Sequence, residues 1–258
     1  MTTPPARVRF HECLARITWI GHSTVLIELD GTRLLTDPVL RPRLLHLRRI
    51  AAPASNVKRV DALLISHGHH DHLDGRSLSL LDRTTRVIVP APAAKRVRRR
   101  GFADVVEVEA GDEVQVGPVR VAATHAEHGS GALGYMIDGS ARIYFAGDTD
   151  LFDGMRDLAG DLDVALLPIG GWGPRLPPGH LDPAGAARAL ELLRPRIAVP
   201  IHWGTYTRVL LSRDEAAPAA LFAELAAAQT PGVEVRVLPV GGTLDVAARQ
   251  PAPEEVTT

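Results

Sequence analysis

The chain has 258 residues, 45% of them hydrophobic and 23% charged, which is ordinary for a globular protein. Its formal net charge of -1 gives no electrostatic case for binding bulk nucleic acid or a membrane surface. Cys13 is the only cysteine, which excludes an intramolecular disulfide and a thiolate-rich metal site. We find neither a signal peptide nor a segment that could span a membrane, and we expect a cytoplasmic protein.

The first half of the chain is predicted to consist mainly of strands. Short apolar runs separated by turn residues predict strands at 16–20, 25–29, 33–36, 62–65 and 86–89. Helices are predicted at 76–81 and at 93–100, where Gly101 ends the second helix. The segment 39–56 shows no clear hydrophobic periodicity. It is therefore predicted to be a functional loop or a partly helical segment that covers the rest of the fold.

The second half is predicted to alternate between strands and helices. Strands are predicted at 105–108, 113–116, 119–124, 133–137, 142–145, 164–167, 197–201 and 234–238. Asp182 and Pro183 predict the start of a helix that runs to about 193, and the alanine-rich segment 215–228 predicts another. Since no low-complexity linker divides the chain, we expect a single domain, 1–248, and a disordered polar tail, 249–258.

The segment 95–100 carries five basic residues. One interpretation is a nucleic-acid patch or a targeting signal. The spacing favours the solvated face of a helix that ends at Gly101, because cations near a helix C-terminus interact favourably with the helix dipole.

The most informative stretch of the sequence follows the predicted strand at 62–65. It places four histidines and an aspartate within six positions: His67, His69, His70, Asp71 and His72. Imidazole and carboxylate are ligands of divalent metals such as zinc. A solvated, histidine-rich loop is the alternative interpretation. The position of this pattern, directly after a buried strand, favours a metal site.

Three other predicted strands also run into residues that can bind a metal. His125 and His128 follow the strand at 119–124, Asp148 follows the strand at 142–145, and His202 follows the strand at 197–201. Each residue alone fits an ordinary loop or core position. Together they indicate one site, because several strands of a sheet can deliver residues to the same edge.

These motifs resemble the metallo-β-lactamase superfamily. The resemblance covers about residues 17 to 210 and rests on Ser66-His-Gly-His-His-Asp-His72, His128, Gly147-Asp148-Thr149 and Pro200-Ile-His202-Trp-Gly. Trp19-Ile-Gly-His-Ser-Thr24 and Leu35-Thr-Asp-Pro38 are similar to the branch that contains ascorbate-phosphate lactonase and N-acyl-phosphatidylethanolamine phospholipase D. The resemblance implies a four-layer αββα sandwich of α/β class with a dinuclear metal site at one edge.

The resemblance also implies a role for each site residue. The first metal ion would be held by His67, His69 and His128, the second by Asp71, His72 and His202, with Asp148 between them. His128 is preferred to His125 because the family ligand follows a Thr-Pro-Ala-x-His-like run, although His125 stands in place of the proline. His180 is expected beside the metals, where it would contact the substrate or protonate the leaving group. Asp37, His22 and Tyr206 are expected to support the ligands or touch the substrate, and His70 to point away.

The ligand set itself predicts the chemistry. Two divalent ions, zinc most readily and manganese as an alternative, can share a hydroxide that is nucleophilic at neutral pH when they lie about 3.5–4 Å apart. Asp71 could also hold the proton of that hydroxide. We therefore expect hydrolysis of a small-molecule phosphodiester, ester or lactone, with a phosphodiester or a phosphorylated lactone preferred. Alternatives are an iron-dependent oxidoreductase, which the histidine at position 69 disfavours because iron relatives carry glutamate there, and a β-lactam hydrolase.

The segment from Arg41 to Arg49 bears on the substrate. Its arginines could pair with phosphate oxygens while its leucines meet an apolar group. The alternative is a helix that covers the sandwich, with arginines outward and leucines inward. The oligomeric state is left open by the sequence.

Overall fold

Two seven-stranded sheets form the centre of the protein in the computed structural model, which describes residues 13–51, 57, 59–171, 176–208 and 216–247. Strands are numbered in chain order. From edge to edge the first sheet contains β17 (Thr243–Ala247), β1 (Cys13–Gly21), β2 (Thr24–Leu29), β3 (Thr32–Thr36), β6 (Ala62–Leu64), β7 (Arg86–Pro90) and β8 (Val105–Val108).

The second sheet repeats the arrangement of the first. It contains β16 (Glu234–Val235), β14 (Ile197–Ile201), β13 (Val164–Pro168), β12 (Arg142–Phe145), β11 (Leu133–Asp138), β10 (Val119–His125) and β9 (Glu113–Val116). In each sheet, four strands pair antiparallel at one side and the remaining neighbours pair parallel. The inner faces pack together through residues such as Ile27, Phe145 and Leu166.

Helices cover the outer face of each sheet. The first sheet carries α1 (Gly75–Leu78) and α2 (Ala91–Arg98), and the second carries a 3-10 helix (Asp153–Leu158), α3 (Pro183–Leu193) and α4 (Ala217–Gln229). Strands between a helix layer and the other sheet are apolar on both faces: along β13, Leu166 faces the other sheet and Leu167 faces the helices. The four-layer αββα sandwich is therefore confirmed.

The start of α3 shows how the sequence specifies a helix boundary. Asp182 accepts a hydrogen bond of 2.7 Å from the Gly185 amide, and Pro183 occupies the first helical turn. Arg194, in the left-handed conformation, ends the helix. No helix in the described part of the chain is long and apolar enough to cross a lipid bilayer.

The segment after β3 differs from both sequence interpretations. It forms a short hairpin of β4 (Arg43–Leu44) and β5 (Leu47–Arg49), which pairs with β15 (Tyr206–Arg208) in a small third sheet. The expected helical cover is wrong, because alternate residues of the hairpin, Leu44, Leu47 and Arg49, are buried at strand spacing.

Most predicted elements lie within a few residues of the observed ones. The helix predicted at 76–81 is a single turn at Gly75–Leu78, and the strand predicted at 234–238 contains only Glu234–Val235. Strand β17 was not predicted. The tail 249–258 and position 215 lie outside the described residues, and the single-domain boundary at 248 stays a prediction.

Candidate metal centre

Polar side chains meet at one edge of the facing sheets. Asp37 follows β3, and His67 comes three residues after β6. In the other sheet, His128 follows β10, Asp148 follows β12 and His202 directly follows β14. β3 pairs in parallel with β6, and β12 and β14 each pair in parallel with β13, so these strands end at a common edge. β10 ends at the same edge as β12 because both pair antiparallel with β11.

The first group of converging ligand atoms contains His67, His69 and His128. His69 Nδ1 lies 2.9 Å from His67 Nε2 and 3.2 Å from His128 Nε2. One ligand atom from each of the three residues lies within 4.8 Å of the other two. Three imidazole nitrogens therefore point at one small volume.

The second group contains His22, Asp71, His72 and His202. His72 Nε2 lies 3.2 Å from His202 Nε2, and each of these nitrogens is 3.7 Å from Asp71 Oδ2. His22 Nε2 is 3.1 Å from the same oxygen. His22 thus belongs to the cluster itself, in contact with the Asp71 carboxylate.

Asp148 joins the two groups. Its Oδ2 lies 3.0 Å from His72 Nε2, and its Oδ1 lies 3.3 Å from His202 Nε2. Asp148 also shares ligand-atom clusters with His67 and with His128. Although Oδ1 is buried and close to His202, it makes no hydrogen bond with any described residue. A carboxylate in this position is suited to bridge two cations.

The outer nitrogens of three rings donate to acceptors that cannot donate in return. His72 Nδ1 is 2.7 Å from the Asp37 carboxylate, His128 Nδ1 is 2.6 Å from the Gly179 carbonyl, and His202 Nδ1 is 2.7 Å from the Gly170 carbonyl. Each Nδ1 must therefore carry a proton, which in a neutral ring leaves the Nε2 lone pair directed inward. Lone pairs packed this closely repel unless a cation lies between them, so the donor set fits divalent metal ions.

Asp37 and Ser66 hold the rings from behind. Asp37 accepts hydrogen bonds from the Ser66 amide at 2.7 Å and from the Ser66 hydroxyl at 2.5 Å, in addition to the one from His72. Ser66 Oγ in turn lies 2.9 Å from His67 Nδ1. Asp37 is fully buried, as expected of a residue that supports the ligands. Sequence reasoning gave Ser66 no role, although it directly precedes the histidine motif.

The electrostatics of the cluster favour a cation. Burial lowers the pKa of His67, and it lowers that of His22 to about 3, so both rings are neutral at pH 7. Burial opposes ionisation of Asp148, but the facing rings of His202 and His72 hold its pKa well below the usual range. Against the effect of its own burial, the carboxylates of Asp148, Asp71 and Asp37 raise the pKa of His72 well above 6.5.

The structure separates the histidines that the sequence left ambiguous. His125 is exposed, with its ring 5.0 Å from that of Phe152, whereas His128 lies in the cluster. His70 is also exposed and contacts Arg96 rather than the cluster. His180 is half-buried at the edge of the cluster, 3.5 Å from Asp148 Oδ2 through its Nε2.

Tyr206 lies behind His22 rather than facing the cluster. Their rings are 6.1 Å apart and meet edge to face. The Tyr206 hydroxyl donates to the Arg41 carbonyl at 2.9 Å and lies 3.2 Å from Arg49 Nη1. The hydroxyl thus fixes the hairpin segment, and of the two expected roles the contacts favour support of the cluster over a substrate contact. The ring still packs against His22 from the side away from the cluster.

An open cleft of about 510 Å³ adjoins the cluster. His67, His69, His128 and His180 form its floor on the cluster side. Prolines and glycines supply most of the remaining wall: Pro90, Pro92, Pro177, Pro178, Gly68, Gly129 and Gly131. Its size lies within the range of small-molecule sites, about 300–1,000 Å³.

Arg96 is the one arginine among the described residues of the cleft wall. Its Nη2 donates to the Leu73 carbonyl at 2.8 Å, and its Nη1 donates to the Gly68 carbonyl. The guanidinium thus ties together both ends of the loop that carries His69, a role that sequence reasoning did not assign.

Two of the four arginines in the segment after Pro38, Arg41 and Arg49, make contacts within the fold rather than with the cleft. Arg41 forms a two-point ion pair with Asp74, with distances of 2.8 and 2.9 Å. Arg49 is buried and donates to the carbonyls of Val39, Ile20 and Ala51. The expectation that these two side chains bind substrate phosphate is therefore wrong.

Comparison with known proteins agrees with the fold and assigns the chain to a family. The model of the family described as the beta-lactamase superfamily domain matches residues 32–203. A UPF0173 protein of Pyrococcus furiosus is 35% identical over 194 residues, 74% of this chain and 85% of that protein. A UPF0173 metal-dependent hydrolase of Methanopyrus kandleri is 34% identical over 210 residues, with the same two coverages of 74% and 85%.

A solved structure supports the same assignment. Igni18, a metallo hydrolase from Ignicoccus hospitalis, is similar with a TM-score of 0.68 and 26% identity over 89% of this chain and 97% of that one. The chain therefore belongs to the beta-lactamase superfamily, among the UPF0173 metal-dependent hydrolases of the metallo-β-lactamase fold.

Proposed function

We propose that the chain hydrolyses a small ester-type substrate, a phosphodiester, a carboxylic ester or a lactone, with two divalent metal ions of zinc or manganese. The first ion is assigned to His67, His69 and His128, the second to Asp71, His72 and His202, and Asp148 to both. The observation that carries this proposal is the buried Asp148 carboxylate between two groups of inward-facing imidazole nitrogens.

The metal ions supply an activated water and stabilise negative charge at the attacked centre. The protein orients the ligands through Asp37, Ser66 and the backbone carbonyls behind the rings. Asp71 is assigned the role of accepting a proton from the attacking water, because its side chain is 17% exposed whereas that of Asp148 is 2% exposed. His22 Nε2 contacts Asp71 Oδ2 and steadies that carboxylate.

The cleft supports a small and largely uncharged substrate. Its described wall is formed mainly by prolines and glycines, and its single guanidinium is bound to backbone carbonyls. A negatively charged phosphate group in the substrate would therefore be bound by the metal ions rather than by arginines. This favours a lactone or carboxylic ester, with a phosphodiester as the second class.

A substrate panel tests this proposal. The metal-loaded protein should turn over a simple lactone or bis-p-nitrophenyl phosphate, and kcat/KM should be lower by at least about tenfold for a β-lactam, which the branch motifs disfavour. All substrates are compared at the same metal loading. Rapid β-lactam hydrolysis without lactone, ester or phosphodiester activity would overturn the substrate assignment and leave the metal-dependent hydrolase.

His180→Gln is expected to lower turnover by about a hundredfold while both metal ions stay bound, because general acid catalysis contributes about 10²–10⁴-fold. The half-buried ring faces Asp148 and forms part of the cleft floor. Burial lowers its pKa, but the nearby Asp148 carboxylate outweighs this and raises the pKa above 6.5. From this position the ring can give a proton to a leaving oxygen.

The matched control is His46→Gln, which changes an exposed histidine of the hairpin between β4 and β5. Turnover and metal content are measured for both variants. If His180→Gln retains the turnover of the His46→Gln control, His180 has no part in the chemistry.

A further inference from the structure

A second pocket lies on the far side of Arg96 from the cleft. It has a volume of about 300 Å³ and lies between α1 and the C-terminal end of α2. Three guanidinium-bearing residues line it, Arg96, Arg99 and Arg100, and the other lining residues, Leu73, Gly75 and Leu78, are uncharged. No carboxylate is among its described lining residues. Positive charge is therefore concentrated around this pocket.

Arg99 and Arg100 lack the carboxylate partners that two nearby arginines have. Arg98, on the same helix, pairs with Glu107, and Arg41 takes up the nearby Asp74 carboxylate. Within the described parts of the chain, no carboxylate lies within 4.0 Å of the guanidinium of Arg99 or Arg100. No described carboxylate within this distance therefore offsets the charge that Arg99 and Arg100 bring to the pocket.

The guanidinium of Arg100 rests against the backbone of a glycine. A Cβ at Gly75 would lie 2.5–2.6 Å from this guanidinium, so a side chain at position 75 would displace Arg100 from its place in the pocket. Arg96 and Arg100 are four residues apart and approach the same loop. Burial and, next, the charge of Arg100 lower the pKa of Arg96, which shows that like charges are held together here.

Favourable interaction with the C-terminus of α2 accounts for cations on this helix, but not for their collection around a cavity. We propose that the pocket of Arg96, Arg99 and Arg100 binds the phosphoryl group of a small anion, either inorganic phosphate or a phosphomonoester. Arginine forks match the oxygens of a tetrahedral oxyanion, and the pocket is of small-molecule size. A nucleic acid would need an extended basic surface, which the net charge of -1 does not favour.

The pocket is physically connected to the metal-binding loop. Arg96 lines both the pocket and the cleft, and its guanidinium holds the carbonyls of Gly68 and Leu73. An anion bound to Arg99 and Arg100 in this pocket would therefore lie beside the guanidinium that holds the loop carrying His69 and Asp71. This site is separate from the substrate cleft and does not depend on the proposed hydrolysis.

Calorimetric titration of the full-length, metal-loaded protein with inorganic phosphate tests the proposal at fixed ionic strength. The Arg99→Ala/Arg100→Ala variant should bind phosphate at this site at least about tenfold more weakly than the parent protein, because two charge-assisted contacts are removed. Arg98→Ala, on the same helix but outside the pocket, should change the affinity less than twofold. Phosphate bound at the metal ions would persist in all three proteins, which distinguishes it from phosphate bound in the arginine pocket.

Crystals soaked with tungstate locate the site, and anomalous density between the three arginines is expected. A parallel titration with glycerol 3-phosphate shows which of the two anions the pocket prefers. Tighter binding than that of inorganic phosphate indicates a phosphomonoester, and weaker binding indicates the free phosphate ion. Equal phosphate affinity in all variants, or tungstate only at the metal centre, would overturn the proposal. So would oligonucleotide binding that strengthens with length and weakens equally in Arg98→Ala, because that describes an extended surface.

Discussion

His128→Ala is expected to weaken metal binding at the first site greatly and to lower activity by more than about a hundredfold, since even changes to residues behind a metal ligand cost about 10–100-fold. His128 Nε2 lies 3.2 Å from His69 Nδ1, and its Nδ1 is fixed by the Gly179 carbonyl. Removal of the ring leaves two imidazoles and the shared Asp148 carboxylate, one ligand fewer than the proposed set, so the first metal ion is held much more weakly. Metal content and kcat/KM are measured on the same preparation.

His125→Ala is the matched control, because it removes a histidine three positions earlier in the same loop. This ring is exposed and contacts Glu127 and Phe152 rather than the cluster. Its loss is expected to change kcat/KM less than about twofold, as for an ordinary surface substitution. The opposite order of effects would show that the assignment of this loop is wrong.

Asp148→Ala is expected to disturb both metal ions, whereas His202→Ala is expected to empty chiefly the second. The reason is geometric: Asp148 shares ligand-atom clusters with His67 and with His128, while His202 clusters with Asp71 and His72. Asp148→Ala also leaves His72, with Nε2 3.0 Å from Asp148 Oδ2, without that carboxylate. Activity should fall by more than about a hundredfold in both variants, because in the proposed mechanism both ions would be needed for the reaction.

Metal content distinguishes these two substitutions where activity does not. We expect less than one equivalent per chain for Asp148→Ala and close to one for His202→Ala, measured after saturation and removal of free metal. A protein that keeps two equivalents after Asp148→Ala would show that this carboxylate bridges nothing. Thermal unfolding of the metal-free variants serves as the control for folding.

Much of the fold was predictable because the strands are apolar on both faces. Runs such as Val164–Pro168 and Ile197–Ile201 lie between a helix layer and a facing sheet, so nearly every residue is buried. The helix after Asp182 was equally clear, since capping and proline geometry act within a few residues. Local rules were sufficient where the stabilising contacts are local or the burial is complete.

The hairpin after Pro38 could not be predicted from local pattern. Its two strands are only two and three residues long, and they depend on pairing with Tyr206–Arg208 far along the chain. Arg49 appears in the sequence as one more surface cation, yet it is buried because backbone carbonyls surround its guanidinium. Strand β17 was missed for the same reason, since it is specified by its partner β1.

The candidate site was predictable in its side chains but not in their supports. Metal-ligand residues after strands can be recognised by type and position, as for Asp148 and His202. The carbonyls of Gly170 and Gly179, which fix two of the rings, have no residue-type signal because every residue has a carbonyl. The role of Arg96 depends on the packing of α2 against the loop, a tertiary contact that the basic run does not reveal.

The metal stoichiometry of the purified protein tests the central claim most directly. Elemental analysis after saturation with zinc or manganese and removal of free metal should give close to two equivalents per chain, and kcat/KM should fall when either equivalent is withdrawn by a chelator. Full activity with one equivalent or fewer would contradict a dinuclear centre built around Asp148.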